Sequence, residues 1–397
     1  MNYHKKTVED VDVSGKRVLL RCDFNVPLDK ETGKITDDTR IVSSLPTITY
    51  LLEHGASVIA CSHLGRPNGK WEPSLSLQGV SELLADRLGR PVKMAKDVIG
   101  PDAKKLASEL KPGEIMLLEN LRFHNEEEKN DPAFAKELAS MADLFVSDAF
   151  GTCHRAHAST VGVAAYLPAV CGFLVSREIK IMGDALEQPQ RPLVVILGGA
   201  KVSDKIGVIE NLLDKANIII IGGGMAYTFL KAKGYKIGKS LCEEDKLEYA
   251  AQVLKKAKEK GVLLLLPVDT IAAKEISPNA SPVLVRAFAI PDDLMGLDIG
   301  PISAEAFSDA IEMAGTVIWN GPMGVFELPL FSGGTRVVAQ ALAESHGITI
   351  VGGGDSAAAV EQMELSHRMT HISTGGGASL EFLEGIELPG VACLQDK

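Results

Sequence analysis

Short runs of β-branched and other apolar residues alternate along this chain with longer stretches of helical periodicity, from near residue 17 to near residue 373. Two consecutive strands pair in parallel only if a crossover, usually a helix, carries the chain back between them. The pattern therefore points to βαβ units and to sheets buried on both faces. In the first half, strands are expected at 17–23, 57–62, 115–118 and 144–147. In the second half they are expected at 193–197, 217–221, 262–267, 283–288, 316–319, 348–351 and 371–373. Helical stretches are expected at 77–88, 133–141, 244–260 and 304–313, and the longest gathers lysines toward its C-terminal end, as the helix dipole favours.

A chain of 397 residues, 46% hydrophobic, exceeds what one core usually organises. Residues 172–186 read as a helix, and Gln188-Pro189-Gln190-Arg191-Pro192 behind it is the best linker candidate. The expected fold is α/β: two doubly wound, mostly parallel-sheet, Rossmann-like domains joined by a helix and hinge, with a cleft faced by the carboxyl ends of the strands. The first domain is expected at 1–172 with a C-terminal tail from about 380 to 397, the helix and linker at 173–190, and the second domain at 191–379.

Several function classes drop out. The apolar runs are far shorter than the roughly 20 residues of a membrane span, and residues 1–12 have no apolar segment of a secretory signal, so a cytoplasmic protein is expected. Six cysteines, Cys22, Cys61, Cys153, Cys171, Cys242 and Cys393, form no CxxC pair and no zinc-spaced cluster, so reduced thiols are expected. A formal net charge of −11 argues against nucleic-acid binding. Any anion must be held by local basic clusters.

Such clusters stand at the ends of the expected strands. In Arg17-Val18-Leu19-Leu20-Arg21-Cys22-Asp23-Phe24-Asn25-Val26-Pro27 the residues Arg21, Asp23 and Asn25 alternate, so an extended chain points a cation, an acceptor and an amide to one side. A polar strand end turning at Pro27 accounts for the same residues structurally. His63 and Arg66 follow the second strand, Arg122 the third and Arg155 the fourth. If those strands are parallel, the basic groups converge on one patch suited to phosphate and carboxylate oxygens.

The second half offers glycine turns instead. Gly198-Gly199-Ala200-Lys201 is too compact for a P-loop, but it leads into an expected helix on which Lys201 and Lys205 lie one turn apart. Gly352-Gly353-Gly354-Asp355-Ser356 also ends a strand and opens a helix, presenting backbone N–H groups to phosphate. Asp355 beside a phosphate calls for a cation, and magnesium binds through one or two carboxylates plus substrate phosphates; an N-cap role for Asp355 is the structural alternative. Ser373-Thr374-Gly375-Gly376-Gly377 permits close backbone approach, or is an ordinary turn.

The string RVLLRCDFNVP resembles the signature of the phosphoglycerate kinase family. In order along the chain, so do His63-Leu64-Gly65-Arg66-Pro67, Glu119-Asn120-Leu121-Arg122-Phe123, Asp148-Ala149-Phe150-Gly151, His154-Arg155-Ala156-His157, Gly198 to Lys205, Trp319-Asn320-Gly321-Pro322, Gly353-Gly354-Asp355-Ser356 and Ser373 to Gly377. The resemblance implies reversible phosphoryl transfer from 1,3-bisphosphoglycerate to ADP, giving 3-phosphoglycerate and ATP, in glycolysis and gluconeogenesis. It implies that Asp23, Asn25, Arg40, His63, Leu64, Gly65, Arg66, Arg122 and Arg155 hold the phosphoglycerate in the first domain. It implies that Lys201, Lys205, Gly296, Glu327, Gly353, Gly354, Asp355 and Ser356 hold the nucleotide in the second, with Mg2+ on Asp355 and a serine at 356 where many relatives have threonine. Arg40, Lys205, Gly375 and Gly376 are the implied catalytic groups.

Both possible nucleophiles of that reaction are already ionised, so no general base is needed, and no nucleophile–base constellation is visible. A monomer that closes about hinges at 172–192 and 373–377, without nucleic-acid or membrane partners, is expected. A nicotinamide dehydrogenase is the rival suggested by Gly352-x-Gly354-x-x-Ala357, but the ribose-binding acid about 20 residues further on is not at a clear strand end. An inactive scaffold would lack Arg40, Lys205 or Asp355, and all three are present.

Overall fold

Val18, Leu19 and Leu20 are wholly buried although they point alternately to opposite faces of their strand. Their strand, β1 (Arg17–Cys22), lies between two parallel neighbours, β2 (Ser57–Cys61) and β5 (Leu144–Asp148). The computed structural model describes residues 3–397. In it β3 (Val92–Met94), β4 (Ile115–Leu117) and β6 (Ala169–Cys171) complete a six-stranded parallel sheet in the order β3-β4-β2-β1-β5-β6. The four strands expected in this half are present to within a residue or two. β3 and β6 were not expected: unlike β4, which lies in the apolar run 115–118, β3 is interrupted by Lys93 and β6 is a run of only three small or apolar residues.

The helices of this unit are α1 (Thr39–Glu53), α2 (Gln78–Leu88), α3 (Pro101–Glu109), α4 (Asn125–Glu128) and α5 (Pro132–Ala139). α1 escapes sequence reading because Pro46 and several β-branched residues lie inside it. It forms because Ile41, Ile48, Leu51 and Leu52 share one buried face. α6 (Phe173–Glu187) follows β6, and its start is tied down from two other elements. The Phe173 N–H donates to Thr47 Oγ1 of α1 at 3.0 Å, and the Leu174 N–H donates to Asp148 Oδ1 at the end of β5 at 2.9 Å.

The chain divides within α6: residues up to Lys180 together with Glu387–Lys397 form one compact unit, and Ile181–Ile386 form the other. The second unit holds α7 (Ile206–Leu212), α8 (Met225–Ala232), α9 (Leu247–Lys260), α10 (Pro301–Glu312), α11 (Gly333–Glu344), α12 (Gly354–Gln362) and α13 (Gly377–Leu383); α14 (Pro389–Ala392) belongs to the first. Asn211 Nδ2 of α7 donates to the Leu383 carbonyl of α13 at 2.7 Å, so the return to the first unit falls at Glu387, a few residues past the expected 380.

The strands of the second unit are β7 (Leu193–Leu197), β8 (Ile218–Ile221), β9 (Lys236–Ile237), β10 (Leu263–Leu265), β11 (Asp269–Ala273), β12 (Val283–Arg286), β13 (Ala289–Ile290), β14 (Met295–Ile299), β15 (Thr316–Asn320), β16 (Ile348–Gly352) and β17 (His371–Ile372). Six of them form a second parallel sheet, β10-β8-β7-β15-β16-β17. The stretch 283–288 is not part of it. It supplies β12, the exposed antiparallel edge of a small sheet β12-β11-β14, and then β13.

Among the described residues no helix is long and apolar enough to cross a membrane. All six cysteines are unpaired, and burial pushes the Cys61 thiol up to about 12.

Aspartates borrowed from strand ends cap several of these helices. Asp148 receives α6, Asp269 accepts the Ile302 and Ser303 N–H groups of α10, and Asp298 accepts the Gly334 N–H of α11 at 2.8 Å. Burial pushes the carboxyls of Asp148 and Asp298 up to about 7, against the pull of the amides that donate to them. The fold thus favours their protonated forms. The stability they contribute is complete below about pH 4 and is lost as pH rises through about 7. Asp148→Asn and Asp298→Asn, neutral like the protonated acids, are expected to flatten the fall of the urea midpoint over that interval. Slopes as steep as the parent's in both variants would refute the raised carboxyls.

Candidate functional site

In the first unit the functional side chains are positioned by parallel pairing. β1, β2, β4 and β5 all end at the same edge, and the turns that follow them carry the basic residues. β1 stops at Cys22, so Arg21, Asp23 and Asn25 do not project together from an extended strand as expected. Arg21 turns inward and is 1% exposed, with Nε donating to Ser159 Oγ at 2.8 Å and Nη2 donating to His63 Nδ1 at 3.2 Å. Asp23 pairs with Arg40, which stands half-exposed in the first turn of α1. Asn25 Oδ1 accepts the Gly65 N–H at 2.9 Å, and Arg122 Nη1 donates to the Gly65 carbonyl at 2.8 Å.

Gly65 is therefore held from both sides, and only glycine suits it: φ is +61°, and a Cβ would come within 2.8 Å of the Leu75 side chain. Leu64 is buried, its backbone N–H and carbonyl both bonded to the Asn120 amide. Arg66 is exposed, and Arg155 is half-buried with Nε donating to His154 Nε2 at 3.1 Å.

The electrostatics report the convergence directly. The buried His63 imidazole is held well below its ordinary range, first by burial and then by the charges of Arg21, Arg122, Arg40 and Arg155. His157 is brought down to about 4 by burial and by Arg122, Arg21 and Arg155. Two neutral imidazoles thus lie among four guanidiniums, in a chain whose net charge is −11. Neither Arg21 nor His157 belongs to the set that the family resemblance implies; Arg21 is read from the sequence only as the cation of the strand-end cluster, and His157 has no reading beyond its motif. Nothing local distinguishes them, because their role depends on which strand ends become neighbours.

In the second unit the turns after β7, β8 and β15 meet backbone against backbone. The Gly198 N–H donates to the Asn320 carbonyl at 3.0 Å, Gly199 to Pro322 at 3.0 Å, and Gly223 to Met323 at 3.1 Å. A Cβ at Gly198 would lie 2.1 Å from the Pro322 carbonyl oxygen. Lys201 and Lys205 do not share a helix: Lys201 is exposed on the turn, and Lys205 closes a separate 3-10 turn, Ser203–Lys205, before α7. Two successive glycines delay the helix. Lys205 Nζ donates to Asn320 Oδ1 at the end of β15; burial lowers its pKa, while Asp204, Asp355 and Glu384 oppose that shift.

Gly353, with φ +87°, turns the chain from β16 into α12, and Gly354 and Asp355 stand exposed in the first turn of that helix. Ser356 is buried, its Oγ accepting the Gly321 N–H at 2.6 Å, so its hydroxyl props the neighbouring glycine turn. Gly296 lies in β14, where a Cβ would collide with the Tyr227 hydroxyl at 2.0 Å. Glu327 is exposed on the segment between β15 and α11. The Gly375 N–H already donates to Ser373 Oγ at 3.1 Å, whereas Gly376, with φ +50°, is exposed at the start of α13. Asn320 joins this group unexpectedly, linking Lys205 to the Gly353 turn: its Nδ2 lies 3.2 Å from where a Gly353 Cβ would stand.

Among the described residues no cluster of three His, Cys, Asp or Glu side chains could hold a metal by itself. The lone exposed carboxylate of Asp355 at a helix start fits a cation that arrives already bound to phosphates.

Comparison with known proteins identifies the family. The family model described as phosphoglycerate kinase matches residues 8–386. Phosphoglycerate kinases of Clostridium botulinum (strain Hall) and Clostridium novyi (strain NT) are each 59% identical over 400 aligned residues, covering 100% of both chains. The solved phosphoglycerate kinase of Coxiella burnetii superposes with a TM-score of 0.91 at 46% identity, and that of Pyrococcus horikoshii with 0.83 at 34%, each covering 98% of both chains. The chain therefore belongs to the phosphoglycerate kinase family, and the reaction it catalyses is the glycolytic transfer of a phosphoryl group between 1,3-bisphosphoglycerate and ADP.

Proposed function

We propose that phosphoglycerate is bound at the basic edge of the first sheet and the magnesium nucleotide at the glycine turns of the second. The observation that carries the first half is the convergence of Arg21, Arg40, Arg122 and Arg155 on the neutral His63. A small acid with a phosphate and a carboxylate needs several cations at fixed spacing, and guanidiniums offer paired donors to both groups. A neutral imidazole adds a donor without adding charge. Asp23, Asn25, His63, Leu64, Gly65, Arg66, Arg122 and Arg155 are assigned to this substrate, with Arg40 beside the reacting carboxyl.

For the nucleotide, Lys201, Gly353, Gly354 and Asp355 are assigned to the phosphates, Gly296 and Glu327 to the nucleoside. Ser356 is assigned to the turn that supports them. When bound, magnesium supplies charge neutralisation between the terminal phosphates, with Asp355 as the carboxylate beside it. The attacking oxygen is an ionised carboxylate or phosphate, so this chain's work is to align the reactants and stabilise the charge on the moving group. Lys205, Arg40 and the Gly376 amide are the groups we assign to that charge. Gly375, whose N–H is engaged by Ser373, is assigned to shaping the turn.

One chain supplies both sets of residues, so we take a monomer as the working unit, in the cytoplasm where its reactants are found. We place flexing where the chain passes between the two units, within α6 and near Glu387. Membrane and nucleic-acid partners have no part in this reading.

Arg40→Ala is expected to lower kcat by about 10²- to 10³-fold while the KM for ATP stays within a factor of about two, measured in the coupled assay from 3-phosphoglycerate. A kcat near that of the parent would remove Arg40 from the reacting centre. For Asp355→Asn, the expected result is a rise of about tenfold in the KM for magnesium-ATP. Indistinguishable magnesium titrations of parent and variant would count against the assignment of Asp355.

A further inference from the structure

Glu127 is a fully buried carboxylate on the four-residue α4 and is not itself among the groups assigned above to substrate or nucleotide. Its partners are all on one residue. The Ser159 N–H donates to Glu127 Oε2 at 2.9 Å, and the Ser159 hydroxyl donates to Oε1 at 2.5 Å. Because that hydroxyl hydrogen is committed to Glu127, the lone pairs of Ser159 Oγ face the other way, toward Arg21, whose Nε–H donates to them at 2.8 Å. A second donor of the same guanidinium, on Nη2, points at His63 Nδ1 at 3.2 Å. A guanidinium has donors and no acceptor, so His63 Nδ1 must be the acceptor and its ring proton must sit on Nε2.

We propose that Glu127 is a positioning residue for the phosphoryl-transfer site, acting through Ser159 and Arg21 to hold His63 as the Nε2–H tautomer. The chain has a single sense. It starts at a buried acceptor that takes both donors of Ser159 and ends at an imidazole with one N–H left to offer an anionic oxygen.

Burial explains why the arrangement needs Glu127 in particular. Arg21 is 1% exposed and Glu127 also 1%, so both charges are removed from water, and Arg21 is the foremost charge favouring the ionised Glu127. Burial pushes the Glu127 carboxyl up, while Arg21, the two Ser159 donors and Arg122 pull it down. A glutamine at 127 would present an NH2 where one of the Ser159 donors now points, and the Ser159 hydroxyl would be free to turn toward Arg21, donor against donor. His63 would then lose the guanidinium that selects its tautomer.

The proposal rests on phosphoglycerate occupying the basic edge of the first sheet, and its test separates the two. Histidine 15N spectra of the full-length protein, with the His63 signal assigned through His63→Gln, report the tautomer without any substrate. In Glu127→Gln and Ser159→Ala the Nδ1–H form of His63 is expected to appear, and Ser159→Thr, which keeps the hydroxyl, should restore the parent spectrum. The KM for 3-phosphoglycerate is expected to rise about tenfold in the first two variants, with the KM for magnesium-ATP unchanged. An unaltered His63 tautomer in both variants overturns the proposal. An altered tautomer with an unmoved KM for 3-phosphoglycerate overturns the substrate placement on which it rests. If Glu127→Gln does not fold, Ser159→Ala, which leaves the carboxylate in place, decides the matter.

Discussion

Parallel pairing is the constraint from which the rest of this structure follows. In each unit every strand of the main sheet must run in the same direction, and each crossover must travel outside the sheet before the next strand begins. The strand interiors are buried on both faces, as at Val18–Leu20 and Ile218–Ile221, and can carry no polar chemistry. Polar residues are therefore driven to the ends, and parallel pairing sends all the carboxyl ends to one edge. A chain of net charge −11 can in this way assemble four arginines around one histidine.

On the function proposed above, the two edges would hold their anions by different means. The first uses long side chains, and these need buried support: Arg21 leans on Ser159 and Glu127, Arg122 on the Gly65 carbonyl and on Glu128, Asn25 on the Gly65 amide. The second uses main-chain groups at glycine turns, with Lys205 fixed by Asn320. Side-chain recognition suits a small acid whose two charged ends must be told apart. Main-chain recognition suits a phosphate chain, whose oxygens are alike and ask for N–H groups at short range.

Much of this was legible in the sequence, because the strands of the two sheets that lie at the site are long enough to show as apolar runs and the motifs sit at their ends. β3, β6 and β17 mark the limit: two or three residues give no period, and only the last was anticipated. α1 was hidden by Pro46; of the antiparallel sheet around β11 only the exposed edge β12 was anticipated, while the mostly buried β11 and β14 were not. At the site, residue types and order were readable but hydrogen-bond commitments were not. Ser356 and the Gly375 amide looked available to a ligand and are already engaged, by Gly321 and Ser373. Arg21 reads as a cation sharing one face with Asp23 and Asn25, and is instead buried against Ser159 and His63. Glu127 and Ser159, 32 residues apart, have no local signature at all.

The glycine turns of the second unit bear on how this protein can vary. Gly198 packs on Pro322 and Gly321, Gly321 on Gly198, and Gly223 on Gly199 and Pro322, so closely that a single added methyl would meet backbone oxygen at 2.1 to 2.8 Å. Backbone cannot swing aside as a side chain does, so relief would have to come from separating whole strands. Conservative and radical replacements are then nearly alike at these positions, since alanine already carries the offending atom. Adaptation of the edge proposed for the nucleotide is confined to the residues around this frame, such as Lys201 and Glu327, which stand exposed and can be exchanged one at a time.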